Sequence, residues 1–195
     1  PARELCITSG CTEAIAATFL GLCEPGDEVV LFEPFYDSYR ACVAMGGGVP
    51  RFVPLRPPSE KPADASTPLA TRGFWFDPAD LRAAITPRTR FIVVNTPHNP
   101  TGKVFSRAEL DLIASLCREH DLVAITDEVY ERLVFEPDEP HLRLASLPGM
   151  WERTITLSSL GKTFSLTGWK IGWAVGPARL IAGVKAAHQF LTYAI

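Results

Sequence analysis

Residues 158–170 read Ser-Ser-Leu-Gly-Lys-Thr-Phe-Ser-Leu-Thr-Gly-Trp-Lys, and two folds compete for them. Gly161-Lys162-Thr163 is how a nucleotide-binding P-loop ends. That motif needs a glycine at its first position, where this chain has Thr156. A P-loop also runs on into a helix. Here Gly168, Trp169 and Gly172 follow the lysine closely, which argues against a continuous helix.

What remains is a lysine, Lys162, between a serine-rich strand end and a Gly-Trp-Lys segment. A lysine amine becomes a covalent catalyst when it condenses with a carbonyl. Flanking hydroxyls and a second cation, Lys170, are what a nearby phosphate requires. Together they point to pyridoxal phosphate, whose aldehyde takes the lysine and whose phosphate takes the rest. Taken alone, Lys162 reads better as a solvated loop lysine, so its neighbours decide.

Working outward, strand and helix signals alternate. Strands are expected at Leu5–Thr8, Val29–Phe32, Val49–Leu55, Phe91–Asn95, Val123–Thr126, Thr154–Leu157 and Ile171–Val175. Val29–Phe32 is a continuous apolar run, as a strand buried on both faces should be. Helices are expected at Thr12–Leu22, Tyr36–Met45, Pro78–Ala84, Ser106–His120 and Pro177–Tyr193. Asp77 with Pro78 marks one helix start, and Ser106 with Glu109 forms a capping box at another. Arg56–Gly73, rich in Pro, Ser, Thr and Ala, reads as an exposed excursion.

This order predicts a three-layer α/β fold: a mostly parallel sheet with helices on both faces. One antiparallel strand is expected near Ile171–Val175. The segment before it, Ser158–Lys170, shows no helix of its own, and a parallel neighbour of Thr154–Leu157 would need a crossover.

The composition bounds the rest. The chain has 195 residues, enough for one domain with a full core, and a net charge of −3. That charge points to neither nucleic acid nor an acidic membrane as partner. No run is long and apolar enough to span a bilayer. The five cysteines form no C-x-x-C pair and fit reduced residues of a cytoplasmic protein. With four scattered histidines, no metal site is expected. The opening Pro1-Ala2-Arg3-Glu4 and the ending Tyr193-Ala194-Ile195, inside an expected helix, read as a piece of a longer protein.

In such sheets ligands bind beyond the carboxyl ends of the strands. Several expected strands end in polar clusters. Ser9-Gly10-Cys11-Thr12-Glu13 joins a strand to a helix, where backbone amides favour a phosphate and Gly10 lets it approach. An ordinary Thr12 N-cap would look the same. Tyr36, after Glu33-Pro34-Phe35, can cover a planar ring or simply pack. Asn95-Thr96-Pro97-His98-Asn99-Pro100-Thr101-Gly102 is a constrained turn with room for cis X-Pro bonds, or a plain Pro-rich turn with its asparagines in left-handed or turn conformations. Such a turn could hold Asn99 towards a ligand oxygen, with His98 as a loop residue. Asp127 follows an apolar strand, where a carboxylate is costly unless paired; a protonated pyridine nitrogen would pair it. Tyr130 could donate to the ring hydroxylate. A helix cap and a core aromatic are the plain readings of these two.

On Ser9–Glu13, Pro25–Tyr39, Asn95–Phe105, Thr126–Tyr130 and Pro148–Gly176, taken in order, the chain resembles the large domain of fold-type I, class I/II aminotransferases. Within them it is most similar to the kynurenine/glutamine-type (cysteine-S-conjugate β-lyase) branch. The resemblance implies pyridoxal 5′-phosphate as cofactor, amino acid and 2-oxo acid substrates, and a homodimer. It assigns Lys162 to the Schiff base, Asp127 to the pyridine nitrogen, and Asn99 and Tyr130 to the ring hydroxyl. It assigns Tyr36 to ring stacking, and Gly10, Cys11, Thr12, Ser159 and Lys170 to the phosphate. Many relatives have arginine at the position of Lys170; lysine keeps the charge and loses the bidentate fork.

By the same resemblance, residues 1–195 are a partial large domain without the N-terminal segment or the small C-terminal domain. The substrate-carboxylate arginine then lies outside this sequence. Aromatic or sulfur amino acids, kynurenine and methionine among them, are the implied substrates. β-Elimination at a C–S bond, and a cofactor-binding regulatory domain fused to a DNA-binding module, are the alternative functions.

Overall fold

The computed structural model describes residues 2–60, 73–135 and 140–192. Seven strands form one sheet: β1 (Leu5–Ser9), β2 (Glu28–Glu33), β3 (Val49–Pro54), β4 (Thr89–Asn95), β5 (Val123–Asp127), β6 (Thr154–Ser159) and β7 (Ile171–Val175). Their order across the sheet is β1-β7-β6-β5-β4-β2-β3. The β2–β3, β2–β4, β4–β5 and β5–β6 pairs are parallel. β7 runs antiparallel to both β1 and β6. The architecture is therefore the expected one, with the reversed strand at Ile171–Val175.

Helices α1 (Gly10–Leu22), α2 (Ser38–Met45), α3 (Pro78–Ala84), α4 (Arg107–Glu119) and α6 (Ala178–Leu191) cover the sheet, and α5 (Leu160–Thr163) is a single turn. Two apolar layers sandwich the strands because consecutive side chains of a strand point to opposite faces. Val30, Phe32, Ile92 and Val94 pack with Leu81 of α3 and Leu110 and Ile113 of α4. Val29, Leu31, Phe91 and Val93 pack with Ile15 and Phe19 of α1, Val43 of α2 and Ile181 of α6. This double burial is why β2 reads as unbroken apolar sequence.

The local signals hold where side chains close them. Asp77 accepts from Ala79 N at 2.8 Å. At α4, Glu109 accepts from Ser106 N at 2.8 Å and Ser106 Oγ accepts from Glu109 N at 3.3 Å. The five cysteines are free thiols. Arg56 pairs with Asp80 at 2.7 Å and bridges to Trp75, so the ends of the Arg56–Gly73 excursion are tied down. Residues 61–72 of it, and the expected helix end at Tyr193, lie outside the described residues.

Two expectations need correction. The segment between Leu157 and Ile171 is not free of helix. It holds α5, closed by Phe164 N donating to Leu160 O, and a 3₁₀ turn at Thr167–Trp169. Left-handed Ser165 (φ 55) interrupts it, so neither turn grows into a crossover. And the helix expected to start at Thr12 starts at Gly10, so the alternative of a Thr12 N-cap falls too. Gly10, with φ +77, turns the chain straight from β1 into α1, and Thr12 lies inside the first helical turn.

Candidate active site

Five strand ends and one strand start converge on a cavity of about 300 Å³. The end of β1 brings Gly10, Cys11 and Thr12; β2, through its following loop, brings Tyr36; β4 brings Asn99. β5 brings Asp127 and Tyr130, and β6 brings Ser159 and Lys162. Lys170, immediately before β7, closes the ring. Every site residue expected from the sequence lines this one cavity.

Lys162 sits in the last turn of α5 and is exposed to the cavity, with Nζ 6.0 Å from the centroid of the Tyr130 ring. Lys170 is left-handed (φ 53) and exposed, a strained conformation for a residue with a side chain. Such strain concentrates at functional sites. Across the cavity, Thr12 Oγ1 and Tyr36 Oη lie 3.4 Å apart, joining the helix start to the aromatic wall.

Asp127 is a buried carboxylate, 3% exposed. Oδ2 accepts from Tyr39 Oη at 2.7 Å. Oδ1 accepts from Val129 N at 3.2 Å and from Cys11 Sγ at 3.6 Å. Among the described residues no cation forms an ion pair with it. Burial therefore pushes its carboxyl above the usual value, although the Tyr39 and Val129 hydrogen bonds pull the other way. The sequence leads one to expect a lowered value from a ring cation; in the protein alone, desolvation wins. Burial and the Asp127 charge also push the Tyr39 hydroxyl and the Cys11 thiol well up, so both remain protonated donors.

Three contributors are not evident from sequence. Tyr39 falls inside the helix expected at Tyr36–Met45 with no role assigned, yet it makes the shortest side-chain contact of the Asp127 carboxylate. Asn95 donates to Asp127 O at 2.9 Å and accepts from Asn99 N at 2.7 Å, so it sets the turn that carries Asn99. A buried amide at a strand end must find such partners, which was the available signal. Gly172 gives β7 its close approach to the start of α1. The turn contains cis peptides at Thr96-Pro97 and Asn99-Pro100, and His98 is buried in it, its Nδ1 2.9 Å from Thr101 Oγ1.

A larger cleft of about 520 Å³ adjoins across Asn99 and Tyr130. Its lysine, Lys103, is buried 2.7 Å from Glu109. Glu128, Glu131 and His141 also cluster. Arg143 pairs with both of their carboxylates and already fills the cation's place there.

A family model described as aminotransferase class I and II matches residues 1–194. The chain is 55% identical over 193 residues to a probable N-succinyldiaminopimelate aminotransferase DapC of Mycobacterium tuberculosis, covering 99% of this chain and 45% of that protein. It is 47% identical over 190 residues to human kynurenine–oxoglutarate transaminase 1, covering 97% and 44%. The solved N-succinyldiaminopimelate aminotransferase of M. tuberculosis superposes with a TM-score of 0.91 at 55% identity, over 100% of this chain and 47% of that one. The chain spans about half the length of the curated relatives it matches. Family members are pyridoxal-phosphate enzymes, and the cavity offers the lysine and the buried carboxylate such chemistry uses. The chain belongs to the aminotransferase class I and II family.

Proposed function

We propose that this chain is most of the large, cofactor-binding domain of a pyridoxal-phosphate aminotransferase that moves an amino group from an amino acid to a 2-oxo acid. The observation that carries this reading is the shared cavity: an accessible lysine and a fully buried, donor-held carboxylate line the same space. Asp127 fits a protonated ring nitrogen because a buried carboxylate without a cation is costly, and a positive ring would remove that cost. Pyridoxal phosphate, when bound, supplies an aldehyde for a lysine amine and a ring that delocalises charge from the substrate α-carbon.

The chain's own residues supply the rest. Lys162 Nζ anchors the cofactor, then takes the α-proton of the amino acid as base and returns it as acid. Asp127 holds the proton at the ring nitrogen. Asn99 and Tyr130 donate to the ring hydroxyl, and Tyr36 covers the ring face. The first amides of α1 at Gly10–Thr12, with Ser159 and Lys170, hold the phosphate; a helix start favours an anion. The oxo-acid half of the cycle uses the same groups in reverse order.

We place the complete protein as a homodimer in the cytoplasm. Free thiols fit a reducing compartment, and exposed Phe164 and Trp169 beside the site are apolar surface that a second subunit would cover. The relatives' names make kynurenine and N-succinyldiaminopimelate the amino donors to try first, with methionine added on the family resemblance. A panel of these donors with 2-oxo acids, on the complete protein, tests the reading. Conversion of the 2-oxo acid to its amino acid is expected. Pyruvate and ammonia formed from a C–S substrate without an acceptor would mark a β-lyase instead.

A further inference from the structure

Tyr39 lies outside the roles described so far. It is 2% exposed in the first turn of α2. Its ring meets Tyr36 edge-on, with centroids 5.7 Å apart at 86°, and its hydroxyl donates to Asp127 Oδ2 at 2.7 Å. One residue thus touches both the wall above the cavity and the carboxylate at its base. We propose that Tyr39 is a positioning residue that fixes the Asp127 carboxylate and keeps the proton it shares with the cofactor on the ring nitrogen; this rests on the pyridoxal-phosphate reading.

A carboxylate sharing a proton with a pyridine has two arrangements. One is carboxylate with pyridinium; the other is carboxylic acid with neutral pyridine. A donor to the carboxylate favours the first, because a charged acceptor takes the stronger hydrogen bond. Tyr39 is such a donor, and burial together with the neighbouring charge keeps its own proton in place. The two carboxylate oxygens accept about four hydrogen bonds, of which the protein fills three, so a ring N–H can still enter. Cys11 Sγ, at 3.6 Å on Oδ1, is a weaker donor, which leaves Tyr39 in control.

The test uses the complete protein loaded with pyridoxal phosphate. In Tyr39→Phe the carboxylate becomes more basic and the proton moves towards it. A neutral ring no longer holds down the proton affinity of the Lys162–cofactor linkage. The pH midpoint of the visible band should then move up, and kcat should fall about 10-fold with KM changed little. Replacing Tyr39 by 3,5-difluorotyrosine keeps the shape and strengthens the donor, so the midpoint should move down. Opposite shifts in the two variants are the expected result. A midpoint unchanged in difluorotyrosine protein, or moved up in it, overturns the inference even if the phenylalanine variant fails to fold. A wild-type protein without any visible band would instead defeat the pyridoxal-phosphate reading itself.

Discussion

Gly172 and Gly10 meet backbone to backbone: a Cβ on Gly172 would stand 2.4 Å from the Gly10 carbonyl carbon and 2.7 Å from Cys11 N. Neither atom belongs to a side chain that could swing away. The first residues of β7 therefore press directly on the helix start that is proposed to hold the phosphate.

Gly172→Ala should cost about 2 kcal/mol of folding stability, the range of an overpacked site, and weaken pyridoxal-phosphate binding. Denaturant unfolding and a cofactor titration measure the two. Gly168, with nothing within 4 Å of an added Cβ, is the control, and Gly168→Ala should stay within about 0.5 kcal/mol of wild type.

Lys162→Ala should abolish the visible band of the loaded complete protein and leave trace turnover. Lys162 is exposed and makes one described ring contact, so stability should change by less than about 0.5 kcal/mol. Near-normal transamination by this variant would remove Lys162 from the chemistry.

Asp127 sets a trade between stability and function. Burial raises its folded pKa above 3.8, so folding of the unloaded protein weakens as pH rises from that value through the raised one. Asp127→Asn lacks this decline. It should stabilise the unloaded protein at pH 7 by roughly 1 kcal/mol while sharply lowering turnover of the loaded protein. Unfolding curves between pH 3 and 7 show the sign; loss of both stability and activity would mean a purely structural aspartate.

His98 runs the other way. Burial, and the charge of Lys103, hold its pKa down from 6.5 to about 4. The unfolded chain binds this proton first, so stability is intact above pH 6.5 and lost as pH falls towards 4. The loss approaches roughly 3 kcal/mol, and His98→Asn should flatten that stretch of the stability–pH curve.

The 195-residue chain by itself should turn over no faster than free cofactor with the same amino acid. Among the described residues, lysines and no arginine line the cavity, and both lysines have other work in the proposed site. A substrate carboxylate calls for a bidentate cation in a partly dry pocket. Robust turnover by the purified chain, removed by Lys162→Ala, would reveal a carboxylate site within these residues.

The sequence carried most of the fold because its signals were local. Val29–Phe32 declared a doubly buried strand, Ser106 and Glu109 a helix start, and the missing crossover a reversed β7. The site was legible because strand-end chemistry clusters by rule, so Lys162, Asp127 and Asn99 could be picked before their convergence was known. Tyr39 was not legible: a tyrosine in an amphipathic stretch looks like core until its hydroxyl is seen against Asp127. The direction of the Asp127 shift was hidden for a related reason. It depends on how much surrounding protein removes water, which no short window of residues records. The single turn α5 escaped because four residues carry too little periodicity to register.

The reversal of β7 also fixes where the chain can place its positive charge. A five-residue strand is about 17 Å long. Were β7 parallel to β6, its first residue would lie that far below the cavity, at the opposite rim of the sheet. Because it runs backwards, Lys170 and Lys162 emerge at the same rim, eight positions apart in sequence, from a hairpin-like loop. Five strands each contribute by where they stop, and one by where it begins. An insertion of a few residues between Phe164 and Thr167 would therefore do more than lengthen a loop. It would unlink the covalent anchor from the phosphate's counter-charge while leaving every strand of the sheet in register.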